Sequence, residues 1–173
     1  MFIPGEFVSL ATFPGVIVHE AAHMFFCRLR RVAVLDVCFF RFGNPAGYVV
    51  HEDTDSFATA FLISMGPFFV NSLLCMLICF PAFMPVRVFG VMHPLSYVLL
   101  WLGVSIGMHA FPSTGDAYNL LQHAKKEISA SNPLAILTYP LVWIIYLANG
   151  LRVFWFDYLY GLAIGLGLPA LIF

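Results

Sequence analysis

The chain has 173 residues, of which 61% are hydrophobic and 10% charged, and its formal net charge is -1. Soluble domains carry about 25% charged residues, so this composition excludes an ordinary water-soluble fold and points to an integral membrane protein. With no basic tail and no aromatic-basic interleaving, it also excludes a nucleic-acid binder.

The chain begins MFIPGEF, without a basic leader or a small-x-small cleavage site. The first apolar run, 7–27, is therefore expected to stay as the first crossing helix, with Pro14 and Gly15 bending it. Inside that run lies PGVIVHEAAHMFF, with His19, Glu20 and His23. Side chains four apart share a helix face, so His19 and His23 can present two imidazoles to one zinc ion, and Glu20 can reach a water beside it. The alternative is a buried polar cluster that only joins helices. A carboxylate and two imidazoles in an apolar run are costly unless a metal, a proton or a partner compensates them. Arg28, Arg30 and Arg31 follow as an interfacial anchor.

Residues 32–51 are rich in Val, Phe and Tyr around Gly43-Asn44-Pro45. They predict a strand-rich insertion of two strands, approximately 32–42 and 47–51, with Gly47 allowing positive φ or a close backbone approach. Asp53 to Ser56 can cap the next helix. A second crossing is expected over 57–80, kinked at Gly66-Pro67 and carrying Asn71, an amide that either glues helices together or orients substrate and site backbone. Pro81, Pro85 and Arg87 predict a turn. The third crossing, 88–111, has Gly103 and Gly107 spaced for close helix contact and contains His109. Pro112, Ser113 and Gly115 open the backbone before an interfacial helix, 115–129, with Asp116 at its start as a metal ligand or as the helix N-cap. Crossings at 134–149 and 153–173 follow, separated by Asn149-Gly150-Leu151-Arg152, and Gly161, Gly165 and Gly167 form a packing face in the last. Cys27, Cys38, Cys75 and Cys79 lack metal-site spacing and read as small apolar side chains.

These crossings place Arg28, Arg30, Arg31, Arg41, Lys125 and Lys126 on one side, with Arg87 and Arg152 on the other. The positive-inside rule puts the former side in the cytoplasm and brings His19 and His23 level with Asp116. A hydrolytic zinc takes three protein ligands, and Asp116 is the expected third. His109 is a candidate for substrate binding or support of the ligands, His51 and His123 read as surface imidazoles, and His93 falls at the opposite end.

At H-E-A-A-H (19–23), Gly66-Pro67 followed by Asn71, and Pro112 to Asp116, the chain resembles the site-2 protease family of intramembrane zinc metalloproteases in a minimal form. The resemblance spans about residues 10–120. It implies an all-α polytopic membrane protein with a small β-hairpin or sheet insertion, in which His19, His23 and Asp116 bind Zn2+, Glu20 activates water, and Asn71 and Pro112 line or support the substrate site, beside His109 as read above. Asn71 stands one residue farther from Gly66-Pro67 than in the family pattern, and the aspartate segment reads HAFPSTGDA. The implied activity is endoproteolysis in or near a transmembrane segment of a membrane-protein substrate. The expected location is a bacterial plasma membrane, with the site toward the cytoplasm. No PDZ or nucleotide-sensing segment is evident, so regulation is expected from a membrane partner or the small loops. The alternative function is a catalytically silent membrane-protein binder or scaffold. Oligomeric state is not specified.

Overall fold

The computed structural model describes residues 5–91 and 93–172. Met1–Pro4, Met92 and Phe173 lie outside the described residues, as do the Arg87 and Val153 side chains; Met92 and Phe173 belong to stretches read above as crossings. Among the described residues the regular structure is helical apart from one two-stranded antiparallel hairpin.

Two helices open it, α1 (Gly5–Ala11) and α2 (Phe13–Leu29), parted at Thr12. The break has a local cause. Pro14 has no N–H to give to the preceding turn, and its ring would strike the carbonyl four residues back, whereas at the head of a new helix neither matters. The hairpin pairs β1 (Val34–Cys38) with β2 (Tyr48–His51), in register from Asp36 opposite Val50 to Cys38 opposite Tyr48. Tyr48 Oη donates to Asp36 Oδ2 across it.

The long α3 (Phe57–Phe89) is capped by Ser56 and ends at Gly90, whose φ of 65° supplies the left-handed residue that terminates a helix. The turn expected at Pro81, Pro85 and Arg87 is absent: these positions are within α3, and the chain reverses after Gly90. Proline signals a break most reliably where water can take over the freed backbone groups, and it is better tolerated in a helix packed in apolar surroundings.

Next come α4 (Pro94–Met108), α5 (Thr114–Ser129), α6 (Pro133–Gly150), a 3-10 turn over Leu151–Phe154, α7 (Phe156–Leu162), a wide π turn over Ala163–Gly167, and α8 (Leu168–Ile172). Specific contacts fix their directions. Gly103 and Gly107 of α4 meet the Cys79 and Cys75 thiols of α3, and His123 of α5 packs on Phe57 at the start of α3. Thus α4 and α5 run in succession against α3. At the far end of α5, Asn132 bonds Glu127 as the chain turns back, and α6 returns until Asn149 reaches Pro112 and Thr114. Beyond it Tyr160 bonds Ser72, and Gly161 and Gly165 pack on Met108 and Val104, so α7 and α8 continue in the direction of α6.

Residues 149–152, read from sequence as a connection between two opposed crossings, are instead a joint in the middle of one course. Arg152 is consequently beside the first-helix histidines and not at the opposite end of the molecule. The two arrangements have the same composition; only the partners of Asn149 and Gly161 tell them apart.

Among the described residues, Phe57–Val86 and Pro133–Gly150 are long and apolar enough to cross a membrane. Leu73, Leu77, Leu137 and Ile144 on these helices are each more than half exposed, the outward apolar surface that a lipid environment covers. Both observations support membrane association. The interior between α3, α5 and α6 is built from Phe57, Met65, Leu120, Leu121, Val142 and Ile145.

Candidate metal centre

His19, Glu20 and His23 are on the buried side of α2, at 9%, 8% and 6% exposure. Their helix can approach α4 because position 15 is glycine: a Cβ there would come within 2.0 Å of the Ser105 carbonyl oxygen. That contact brings α2 against the end of α4, where His109 closes the helix. His19 Nδ1 then faces the His109 carbonyl at 2.6 Å. A carbonyl only accepts, so Nδ1 carries the proton and Nε2 keeps its lone pair.

That Nε2 lies 3.1 Å from His23 Nε2, and His23 Nε2 lies 3.6 Å from Asp116 Oδ2. One ligand atom from each of His19, His23 and Asp116 falls within a span of 4.8 Å. A tetrahedral ion with metal–nitrogen bonds of about 2.0–2.1 Å holds its ligand atoms about 3.3 Å apart. The cluster therefore fits a divalent metal ion, and the carbonyl-fixed tautomer of His19 points the correct nitrogen at it.

The third member is positioned by its own helix start. Ser113 caps α5: its Oγ accepts from the Asp116 N–H at 3.1 Å and donates to Asp116 Oδ2 at 2.6 Å. Asp116 is thus not the N-cap. It occupies the first turn, oriented by the cap, with a third of its side chain exposed. The S-x-x-D spacing that announces such a cap was present in Ser113-Thr114-Gly115-Asp116.

Behind His19 stands Asn71, fully buried. Its amide donates to the Ile106 carbonyl at 3.2 Å and to the His109 carbonyl at 2.9 Å. One peptide oxygen, that of His109, thus accepts from α2 and α3 while closing α4. Asn71 Oδ1 has no hydrogen-bond partner among the described residues. The His109 ring points elsewhere: its Nε2 lies 2.8 Å from Thr12 Oγ1, which also lies 2.7 Å from the Val8 carbonyl. Thr12 has one proton to give, so both contacts are satisfied when imidazole donates to hydroxyl and hydroxyl to carbonyl. Pro112 contributes its carbonyl, which accepts from Asn149 Nδ2 at 2.6 Å, and Thr114 Oγ1 donates to Asn149 Oδ1 at 3.0 Å.

The chain matches no known protein family, no curated protein and no solved structure.

Two adjoining cavities open on the cluster. One, of about 180 Å3, is walled by His19, Glu20, His23 and Asp116 on one side and by Gly47, Tyr48 and Val49 of the hairpin on another. The second, of about 380 Å3, shares His19 and Glu20 and extends past Phe111, Ser113 and Thr114 to Arg152. Gly47 is required where it stands: a Cβ there would approach Glu20 Cγ to 2.7 Å and the Phe39 carbonyl to 3.0 Å.

Of the remaining histidines, His51 lines the smaller cavity from β2 with its Nδ1 on the Glu52 carbonyl. His123 packs its ring on Phe57, and His93 caps α4 by accepting from the Leu95 N–H. Sequence reasoning did not single out Thr12, Ser113, Asn149 or Arg152 as site residues. Only Ser113 carried a local signal.

Proposed function

We infer that the chain is an intramembrane zinc endopeptidase that hydrolyses a peptide bond in or near a transmembrane segment of a membrane-protein substrate. The observation that carries this reading is the convergence of His19, His23 and Asp116 with Glu20 in the wall of the same cavity. Two imidazoles and a carboxylate are a borderline donor set of the kind zinc takes, and three protein ligands leave a position for reaction.

In this reading His19, His23 and Asp116 hold the ion, the His109 carbonyl and Asn71 hold His19, and Ser113 holds Asp116. Bound zinc supplies a Lewis acid. Glu20, at the cavity wall, accepts a proton from a water molecule as that water's oxygen adds to the peptide carbonyl carbon. It returns the proton to the amide nitrogen as the C–N bond breaks, leaving a new carboxyl group and a free amine. The backbone at Gly47, just before β2, packs on Glu20. Since a helical substrate has its carbonyls internally bonded, it must be locally opened first. The backbone of β2 beside the cavity offers a strand edge on which an opened segment can be laid. A membrane partner that opens the substrate or covers the hairpin would regulate such an enzyme.

The test compares purified wild type with Glu20→Gln for zinc content and for cleavage of a helical membrane peptide. The amide keeps the side chain's size but cannot take the proton, so zinc is expected to stay at wild-type stoichiometry while hydrolysis is lost. Wild-type turnover in the variant would overturn the role of Glu20. A wild type that binds zinc and cleaves nothing would favour the silent scaffold. The natural substrate is sought as the membrane protein whose processed form disappears in cells carrying the variant.

A further inference from the structure

The larger cavity holds a cation that the proposed chemistry does not use. Arg152 lines it together with His19, Glu20, His109 and Thr114, and also lines a neighbouring cavity of about 200 Å3 with Trp155 and Tyr158. It is an electrostatic neighbour of both His19 and His109. Its position follows from the joint at the end of α6. Asn149 is tied to Pro112 and Thr114, so the 3-10 turn that follows must carry residue 152 past the site.

Among the described residues the guanidinium is anchored at one atom. Arg152 Nε donates to Asp157 Oδ2 at 2.5 Å, across the short step into α7. Guanidinium has five N–H donors, and among the described residues none of the four on its Nη atoms meets an acceptor, although a third of the side chain is exposed. Asp157 thus fixes the stem and leaves the outer fork free. A fixed, partly desolvated fork is the group that recognises a planar carboxylate with two parallel hydrogen bonds.

The geometry points to a carboxylate-binding subsite at Arg152 that holds an acidic group of the peptide substrate, either a side chain close to the cut or a free C-terminus. This deepens, and rests on, the peptidase reading. Glu20 lines the same cavity and, when ionised, repels the same carboxylate, so the acidic group is held at Arg152 and the chain leading from it shares the cavity with His19. A volume of about 380 Å3 is in the range of pockets that bind small ligands.

Binding separates this subsite from catalysis. Zinc-loaded Glu20→Gln protein is titrated with fluorescent helical peptides that differ only in one acidic group: C-terminal acid against amide, and Glu against Gln beside the cut. At least one acidic member is expected to bind about tenfold or more tightly than its neutral partner, and which pair shows the effect identifies the source of the carboxylate. Adding Arg152→Gln should remove that preference while leaving affinity for the neutral peptide unchanged, and Arg152→Lys should restore part of it. In wild type the same pair should differ in KM and not in kcat. Equal binding of acidic and neutral peptides by protein with Arg152 intact would overturn the subsite, whatever the fate of the variants. Loss of neutral and acidic binding alike in Arg152→Gln would assign Arg152 to structure instead. Failure of the peptidase reading shows separately, as discrimination by Glu20→Gln protein alongside a wild type that cleaves neither peptide.

Discussion

Replacing Asn71 by leucine distinguishes a residue that holds the metal site from one that touches substrate. The two side chains share their branching and number of heavy atoms, and the change removes two donors, to the Ile106 and His109 carbonyls. Neither carbonyl is then abandoned: Ile106 still accepts from the His109 N–H at 3.1 Å, and His109 still accepts from His19. The large penalty for orphaned buried groups, about 1–3 kcal/mol each, is therefore avoided. Removing Oδ1, which has no hydrogen-bond partner among the described residues, offsets part of what remains. The net stability loss should be about 1 kcal/mol, equivalent to one ordinary hydrogen bond. The metal should respond more strongly. With its second anchor gone, the His109 carbonyl fixes His19 less firmly, and outer-sphere changes of this kind lower affinity by about 10–100-fold. Competition between the detergent-solubilised protein and a zinc chelator, or the absorption of bound cobalt, measures this directly. Wild-type metal affinity together with lost peptide cleavage would refute the reasoning and return Asn71 to the substrate.

Asp116→Asn should keep the fold, because the cap belongs to Ser113 and an amide can still bond it, yet should reduce zinc affinity beyond the ~10–100-fold of an outer-sphere change. Zinc retained there, and lost in His109→Ala or His123→Ala, would reject the assigned ligand set. Gly15→Ala should destabilise the protein by about 1–3 kcal/mol or more, since a methyl cannot share space with the Ser105 backbone and α2 must move away from α4. Urea unfolding followed by tryptophan fluorescence checks this, and an unchanged midpoint would show that the helices separate without cost.

The parts legible in the sequence were those with a local cause. His19 and His23 fall together because four residues make about one helical turn, and residues 32–51 form a hairpin because β-branched and aromatic residues flank a turn sequence. Gly103 and Gly107 lie at a close contact, as small residues four apart suggest. The parts that were not legible depend on partners far along the chain. Nothing near Asn149 says that its amide will meet Pro112, so the joint at Arg152 looked like a turn between crossings and the arginine was assigned to the wrong end. Pro81 and Pro85 misled for a related reason, since a proline's effect on a helix depends on what surrounds it. Asn71 was left open between glue and function, and the structure puts its amide on the very carbonyl that orients His19, so the two roles are not alternatives.

That carbonyl also bears on how the protein is made. His19 and His23 emerge early in synthesis, but the oxygen that turns His19 the right way comes 90 positions later, and the carboxylate beside His23 later still, at 116. A nascent chain with only its first helices made holds two imidazoles with neither their guide nor their third companion. Competence to bind metal is therefore acquired late, when α4 and the head of α5 arrive against α2. For the experimenter, uptake of cobalt by successively longer chains reads out the moment at which the three helices come together.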